Sequence, residues 1–99
     1  MSQITGIAHY GIISHVVQAS DGNIYVVSST NAFDRKQYPW ETAVFRWNKR
    51  DKKITNWVDL IRIHDSTEEA MMITHELVCE NLENYLKSTK ARPLTAMAG

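Results

Sequence analysis

Residues 61–70, Ile61-Arg62-Ile63-His64-Asp65-Ser66-Thr67-Glu68-Glu69-Ala70, contain the change of period that decides the fold. The run ending there, residues 54–63, has strand character. Ile54, Val58 and Leu60 share one parity while Trp57, Ile61 and Ile63 share the other, so both faces are apolar and the strand is expected inside a sheet. After His64-Asp65 the spacing becomes helical. Ser66 followed by Glu69 fits a capping box, in which the hydroxyl and the carboxylate satisfy orphan amide donors reciprocally. Beyond it Ala70, Met71, Thr74, Leu77, Val78, Leu82 and Tyr85 fall on one stripe at about 100° per residue, with Glu69, Glu76, Glu80, Glu83 and Lys87 opposite. One long amphipathic helix over residues 66–89 is predicted, with acids at its start, Lys87 and Lys90 at its end, and Arg92-Pro93 as its stop.

Upstream, residues 7–19 are rich in β-branched side chains and lack helical spacing, which predicts one strand. Ser20-Asp21-Gly22-Asn23 then reads as a hairpin turn, because glycine accepts positive φ at no steric cost, and residues 24–30 as the second strand. Residues 31–38 are polar and Pro39 cannot donate to a ladder, so this stretch is a loop, one that carries Phe33, Tyr38 and Trp40. Residues 41–48 alternate, Ala43, Phe45 and Trp47 against Thr42, Val44 and Arg46, and a charged turn over residues 49–53 leads to the last strand. The expected fold is therefore α+β: a four-stranded antiparallel sheet (ββββ) followed by one long C-terminal amphipathic helix packed on one face. Residues 1–90 form a single domain in this reading and residues 91–99 a flexible tail. A helix about 10 Å wide covers one sheet face, so a homodimer through the uncovered face is expected.

Composition narrows the function classes. The chain has 99 residues, about two thirds of the usual 150 or so of one domain, and leaves little room for a separate catalytic partner. With 43% apolar and 22% charged residues it has an ordinary globular composition, which argues against disorder. Eleven basic and eleven acidic residues cancel to a net charge of zero, which argues against a generally basic nucleic-acid binder. No apolar run reaches the roughly 18 residues that span a bilayer, and the first 22 residues lack a signal-peptide pattern, so a cytoplasmic protein with no membrane partner is expected. Cys79 is the only cysteine and cannot form an internal disulfide, in keeping with a reducing compartment.

The chemical motifs read as structural. His75 and Cys79 stand at i and i+4 on one side of the helix, a spacing that suits a metal ion, but the sequence motivates no third ligand, so no metal and no cofactor are expected. His9 and His15 share a parity yet lie six residues apart on an extended strand, too far to hold one ion together. Cys79 is surrounded by Glu76, Glu80 and Glu83, which oppose thiolate formation. Gly6, Gly11 and Gly22 stand alone and none opens the helix, so no phosphate-cradling loop is present. No base, nucleophile and oxyanion donor can be assembled from spacing, and the expectation is a non-enzyme.

Charge distribution carries more than any motif. Residues 46–53 hold Arg46, Lys49, Arg50, Lys52 and Lys53 against Asp51, a local 5 − 1 = +4, beside Trp47. Residues 65–83 hold Asp65, Glu68, Glu69, Glu76, Glu80 and Glu83 with no Lys or Arg, a local −6. Two opposed surfaces follow. Glu69, Glu76, Glu80 and Glu83, with Phe33, Tyr38 and Trp40 of the loop, are the candidates for protein–protein contact, since aromatic side chains dominate interface hot spots. Arg46, Trp47, Lys49, Arg50, Lys52 and Lys53 are the candidates for nucleic acid.

The segments Trp40-Glu41-Thr42-Ala43-Val44-Phe45, Ile54-Thr55-Asn56-Trp57-Val58-Asp59-Leu60, Ser66-Thr67-Glu68-Glu69-Ala70 and His75-Glu76 resemble a group of small uncharacterised phage and prophage proteins. Those read roughly Tyr-Glu-Thr-Met-Val-Phe, Thr-Asp-Trp-x-Glu-Leu, Thr-Glu-Glu-Glu-Ala and Gly-His-Glu. The likeness covers residues 40–82. This chain departs from it in its long N-terminal hairpin, its basic turn and Thr74 before the histidine. The resemblance implies a phage setting, with host cytoplasm as the location, and no mechanism. The expected function is a small non-enzymatic protein acting by protein–protein contact, one version being inhibition of a host nucleic-acid-binding complex through the acidic helix face. The alternative is a nucleic-acid-binding accessory protein using the basic turn.

Overall fold

The computed structural model describes residues 2–32 and 37–88. It is α+β, with an antiparallel sheet made of β1 (Gln3–Ile7), β2 (Ile13–Gln18), β3 (Ile24–Asn31), β4 (Trp40–Asn48), β5 (Lys53–Ile54) and β6 (Ile61–Asp65), followed by α1 (Glu68–Glu80). Strands β1 to β4 lie side by side in chain order, and β5 and β6 share the outer edge of β4. Phe33 and the expected tail lie outside the described residues, as does the expected helix end at Thr89.

The single strand expected over residues 7–19 is two strands. Gly11 sits at φ 71°, and a Cβ there would lie 2.7 Å from the Ser29 carbonyl oxygen, so the chain turns back at a point only glycine fits. The turn is pinned by Ser14, whose Oγ accepts from the Tyr10 amide at 3.0 Å, and by Ser28, whose Oγ donates to the Tyr10 carbonyl at 3.0 Å. The expected hairpin between β2 and β3 is present, with Gly22 at φ 91° and Asp21 Oδ1 accepting from the Asn23 amide at 3.0 Å.

The strand expected over residues 54–63 is also divided. β5 pairs Trp47↔Ile54 and Asn48↔Lys53, the Thr55 and Leu60 amides still donate to the Arg46 and Val44 carbonyls at 2.9 and 2.8 Å, residues 56–59 bulge out between them, and β6 continues along β4 from Val44↔Ile61 to Trp40↔Asp65. Apolar residues of both parities came from this excursion: Trp57 and Val58 are exposed, at 65% and 66%. Trp40, expected in the loop, is the first residue of β4.

The helix starts one residue later than the capping box implies. Thr67 is the N-cap, accepting at Oγ1 from the Ala70 amide at 3.1 Å, with Glu68 and Glu69 in the first turn. One continuous helix was expected, but Asn81 breaks it: its backbone and side-chain N–H groups both donate to the Leu77 carbonyl, at 2.9 and 3.1 Å, and residues 82–88 form a separate helical stretch.

The inward stripe is Met71, His75, Val78, Cys79 and Leu82, rotated from the expected one so that Leu77 is exposed. It packs on Val17, Tyr25, Val27, Val44 and Ile61, which strand alternation places on one sheet face. Ser2 fastens the chain start to the helix end, donating to the Cys79 carbonyl at 2.6 Å and accepting from the Leu82 amide at 3.0 Å. The opposite face, through which the homodimer is expected, carries an apolar cluster of its own. Val16 and Val26 there are covered by Ala8 and Ile54, with Tyr10, Ile24, Phe45 and Trp47 around them.

Candidate functional site

Alternation along β4 sends neighbouring side chains to opposite faces, and this splits the basic cluster. Trp47 joins the second apolar cluster, and the turn after it carries Lys49 and Lys52 to the same side. The β1–β2 turn folds over from the other end and brings Tyr10 against Trp47, ring centroids 6.2 Å apart and planes at 81°. Together with Thr5, Gly6, Ile7, Ala8, His9 and Val16 these residues line a groove of about 630 Å³. Trp57 extends the aromatic surface, its ring 5.4 Å from both Tyr10 and Phe45. Lys52 holds φ at 53°, an uncommon conformation that shapes the turn. Aromatic edges and faces beside exposed ammonium groups suit a ligand with flat rings and negative charge.

Arg46 points to the other side. It lines a separate groove of about 500 Å³ with Asp21, Tyr25, Leu60 and Glu83 among its walls. Arg50 and Lys53 are exposed at the turn without lining either groove. Tyr10 and His9 complete the Lys49–Lys52 groove, and sequence reasoning missed both because the turn at Gly11 was read as strand.

Among the acidic candidates, Glu69, Glu76 and Glu80 are exposed on the outer side of α1. Met72, Ile73 and Leu77 lie exposed among them, at 37%, 60% and 44%. Glu83 is committed elsewhere: its Oε1 accepts from the Ser20 amide at 2.9 Å and ties the β2–β3 turn to the C-terminal helical stretch. Tyr38 is exposed, whereas Trp40 is half-buried at the start of β4. Phe33, the third aromatic of that loop, is outside the described residues.

Beneath the helix runs a chain of polar side chains. His15 Nδ1 and His75 Nε2 are 2.8 Å apart, His75 Nδ1 and Ser29 Oγ 2.7 Å, and Ser29 Oγ and Thr42 Oγ1 2.7 Å. The register explains the alignment, since Ser29 pairs with Thr42 across β3–β4 and His15 lies opposite Val27 on the same face. His75, which the sequence places on the helix flank, is buried in the core, as is Cys79. Burial, with a smaller contribution from His15, lowers the His75 pKa from 6.5 to about 4, so its ring is neutral at pH 7. Burial first, then Glu80 and Glu76, pushes the Cys79 thiol up to about 12. The Cys79 thiol is protonated at pH 7 and the Ser29 and Thr42 hydroxyls are fully buried, which makes all three weak nucleophiles.

No helix among the described residues is long and apolar enough to cross a membrane. No family model, no curated protein and no solved structure matches the chain.

Proposed function

We propose that the chain is a non-enzymatic binding module that takes a single nucleic-acid strand along the groove between the β1–β2 turn and the β4–β5 turn. The observation that carries this reading is the meeting of Tyr10 and Trp47 beside Lys49 and Lys52. Bases stack on aromatic faces at about 1–3 kcal/mol each, and ammonium groups on the rim contact phosphates without sequence preference. The groove volume of about 630 Å³ accommodates a nucleotide rather than a duplex groove. Zero net charge is compatible with this, because the lysines act locally and the acidic side of α1 belongs to the other face of the sheet.

The test is titration of labelled single-stranded DNA and RNA at two salt concentrations. Binding is expected to weaken with salt at a slope of about −0.7 per phosphate contacted. A Lys49→Glu, Lys52→Glu double variant is expected to lose most of the affinity, and Trp57→Ala to lose about 1–3 kcal/mol through stacking. Affinity that ignores salt, or is indifferent to these changes, contradicts the reading. The expected homodimer competes for the same face, so a dimer that dissociates when oligonucleotide is added places both ligands on one site.

A second reading rests on the outer side of α1, where Met72, Ile73 and Leu77 are exposed between Glu69, Glu76 and Glu80. Apolar side chains framed by carboxylates suit a protein partner with a basic surface, including a host nucleic-acid-binding complex. The phage setting rests on the resemblance over residues 40–82 alone. Charge reversal at Glu69, Glu76 and Glu80 is expected to abolish capture of such a partner while leaving oligonucleotide binding intact. Unchanged capture removes this second reading.

A further inference from the structure

Besides the groove, the molecule gathers a second set of chemically capable side chains. One ring nitrogen each of His15 and His75 and the Sγ of Cys79 lie within 4.8 Å of one another. Two of the donors are held by α1, one turn apart, and the third by β2, so folding brings together ligands from residues 15, 75 and 79. We propose that His15, His75 and Cys79 form a binding site for a divalent cation of the zinc type, clamping α1 to the sheet.

The donor set suits such an ion. Imidazole and thiolate are the ligands that zinc takes, at about 2.0–2.1 Å and 2.3 Å, and three protein ligands leave a fourth position for water. The surrounding hydrogen bonds are those a metal-bound histidine needs. With Nδ1 of His75 donating to Ser29 Oγ at 2.7 Å, and Ser29 donating on to Thr42, the lone pair of His75 Nε2 faces His15. His15 is half-buried and lines a shallow surface groove with Ile7, His9 and Ile12, which provides an entry path. The two nitrogens, 2.8 Å apart as hydrogen-bond partners, must separate to about 3.3 Å for tetrahedral coordination. A small rotation of the His15 side chain supplies that. On binding, Cys79 releases its thiol proton to solvent and its sulfur pair enters the metal bond. His15 moves its remaining ring proton to Nε2, so Nδ1 ligates.

This site is independent of the nucleic-acid reading. The test uses the untagged full chain, freed of metal by a chelator and titrated with Co²⁺ and Zn²⁺. The expected result is one ion per chain, a thiolate-to-cobalt absorption band in the near ultraviolet, displacement of Co²⁺ by Zn²⁺, and a melting temperature that rises with either ion. Cys79→Ser is expected to remove the band and His15→Ala to remove stoichiometric binding. Ser29→Ala, which keeps all the ligands, is expected to weaken binding about 10- to 100-fold. His64→Ala, at the separate His64–Glu41 contact, is expected to leave binding unchanged. Circular dichroism of each metal-free variant separates lost ligands from lost folding. Absence of stoichiometric binding by the folded wild-type chain overturns the proposal, and so does a Co²⁺ spectrum with no thiolate band.

Discussion

Two single residues decide how the N-terminal half folds and how the core responds to acid. Gly11 turns the chain between β1 and β2, and any side chain there meets both a positive φ and the Ser29 carbonyl. Gly11→Ala is expected to cost about 2 kcal/mol or more in urea denaturation, whereas Gly6→Ala, with a Cβ 4.0 Å from Val16, is expected to cost far less. His75 is the acid-sensitive residue. Its folded-state pKa of about 4 is below the ordinary 6.5, so the unfolded chain binds the proton more tightly. In chelator-treated protein, stability is therefore complete above about pH 6.5 and falls as pH drops toward 4, by up to about 3 kcal/mol. A His75→Gln variant lacks that part of the slope; equal slopes in thermal melts between pH 7 and 4 contradict it. His15 was not legible as a partner because spacing along one strand compares it only with His9. The parity it shares with Val17, facing a helix that presents His75 and Cys79, was the available signal.

At the level of elements, strand alternation was readable where turns were cheap to recognise. The Asp21-Gly22 hairpin and the alternation of β4 emerge as expected because each is a local property of its residues. The breaks at Gly11, over residues 56–59 and at Asn81 did not, because each depends on what packs against it. Trp57 counts as strand-like by composition, yet its place is set by ring contacts with Tyr10 and Phe45, which lie 47 and 12 positions upstream in the chain. The helix start gives a sharp check of local chemistry. Thr67→Ala is expected to cost about 1 kcal/mol and Ser66→Ala only a few tenths, measured by chemical denaturation, because the hydroxyl of Thr67 and not that of Ser66 accepts the Ala70 amide. The reverse order would restore the capping box at Ser66.

For the whole molecule, the useful division is between sheet faces. One face is closed by α1 and holds the buried histidine chain, while the other carries the aromatic rings and the lysines of the β4–β5 turn. The charge imbalance along the chain was visible in the sequence, +4 against −6, but not that alternation would send Arg46 away from Trp47, or that Tyr10 would take its place. Tertiary placement of the first turn supplied that, and it moves the weight of the functional reading from the acidic helix to the groove. The most direct measurement is an amide chemical-shift titration of the labelled chain with a short single-stranded oligonucleotide. The expected shifts cluster at residues 5–10 and 47–52 and spread to Trp57, leaving residues 68–80 unmoved. Shifts confined to α1, or none at a saturating concentration, would contradict the assignment of the groove as the binding site.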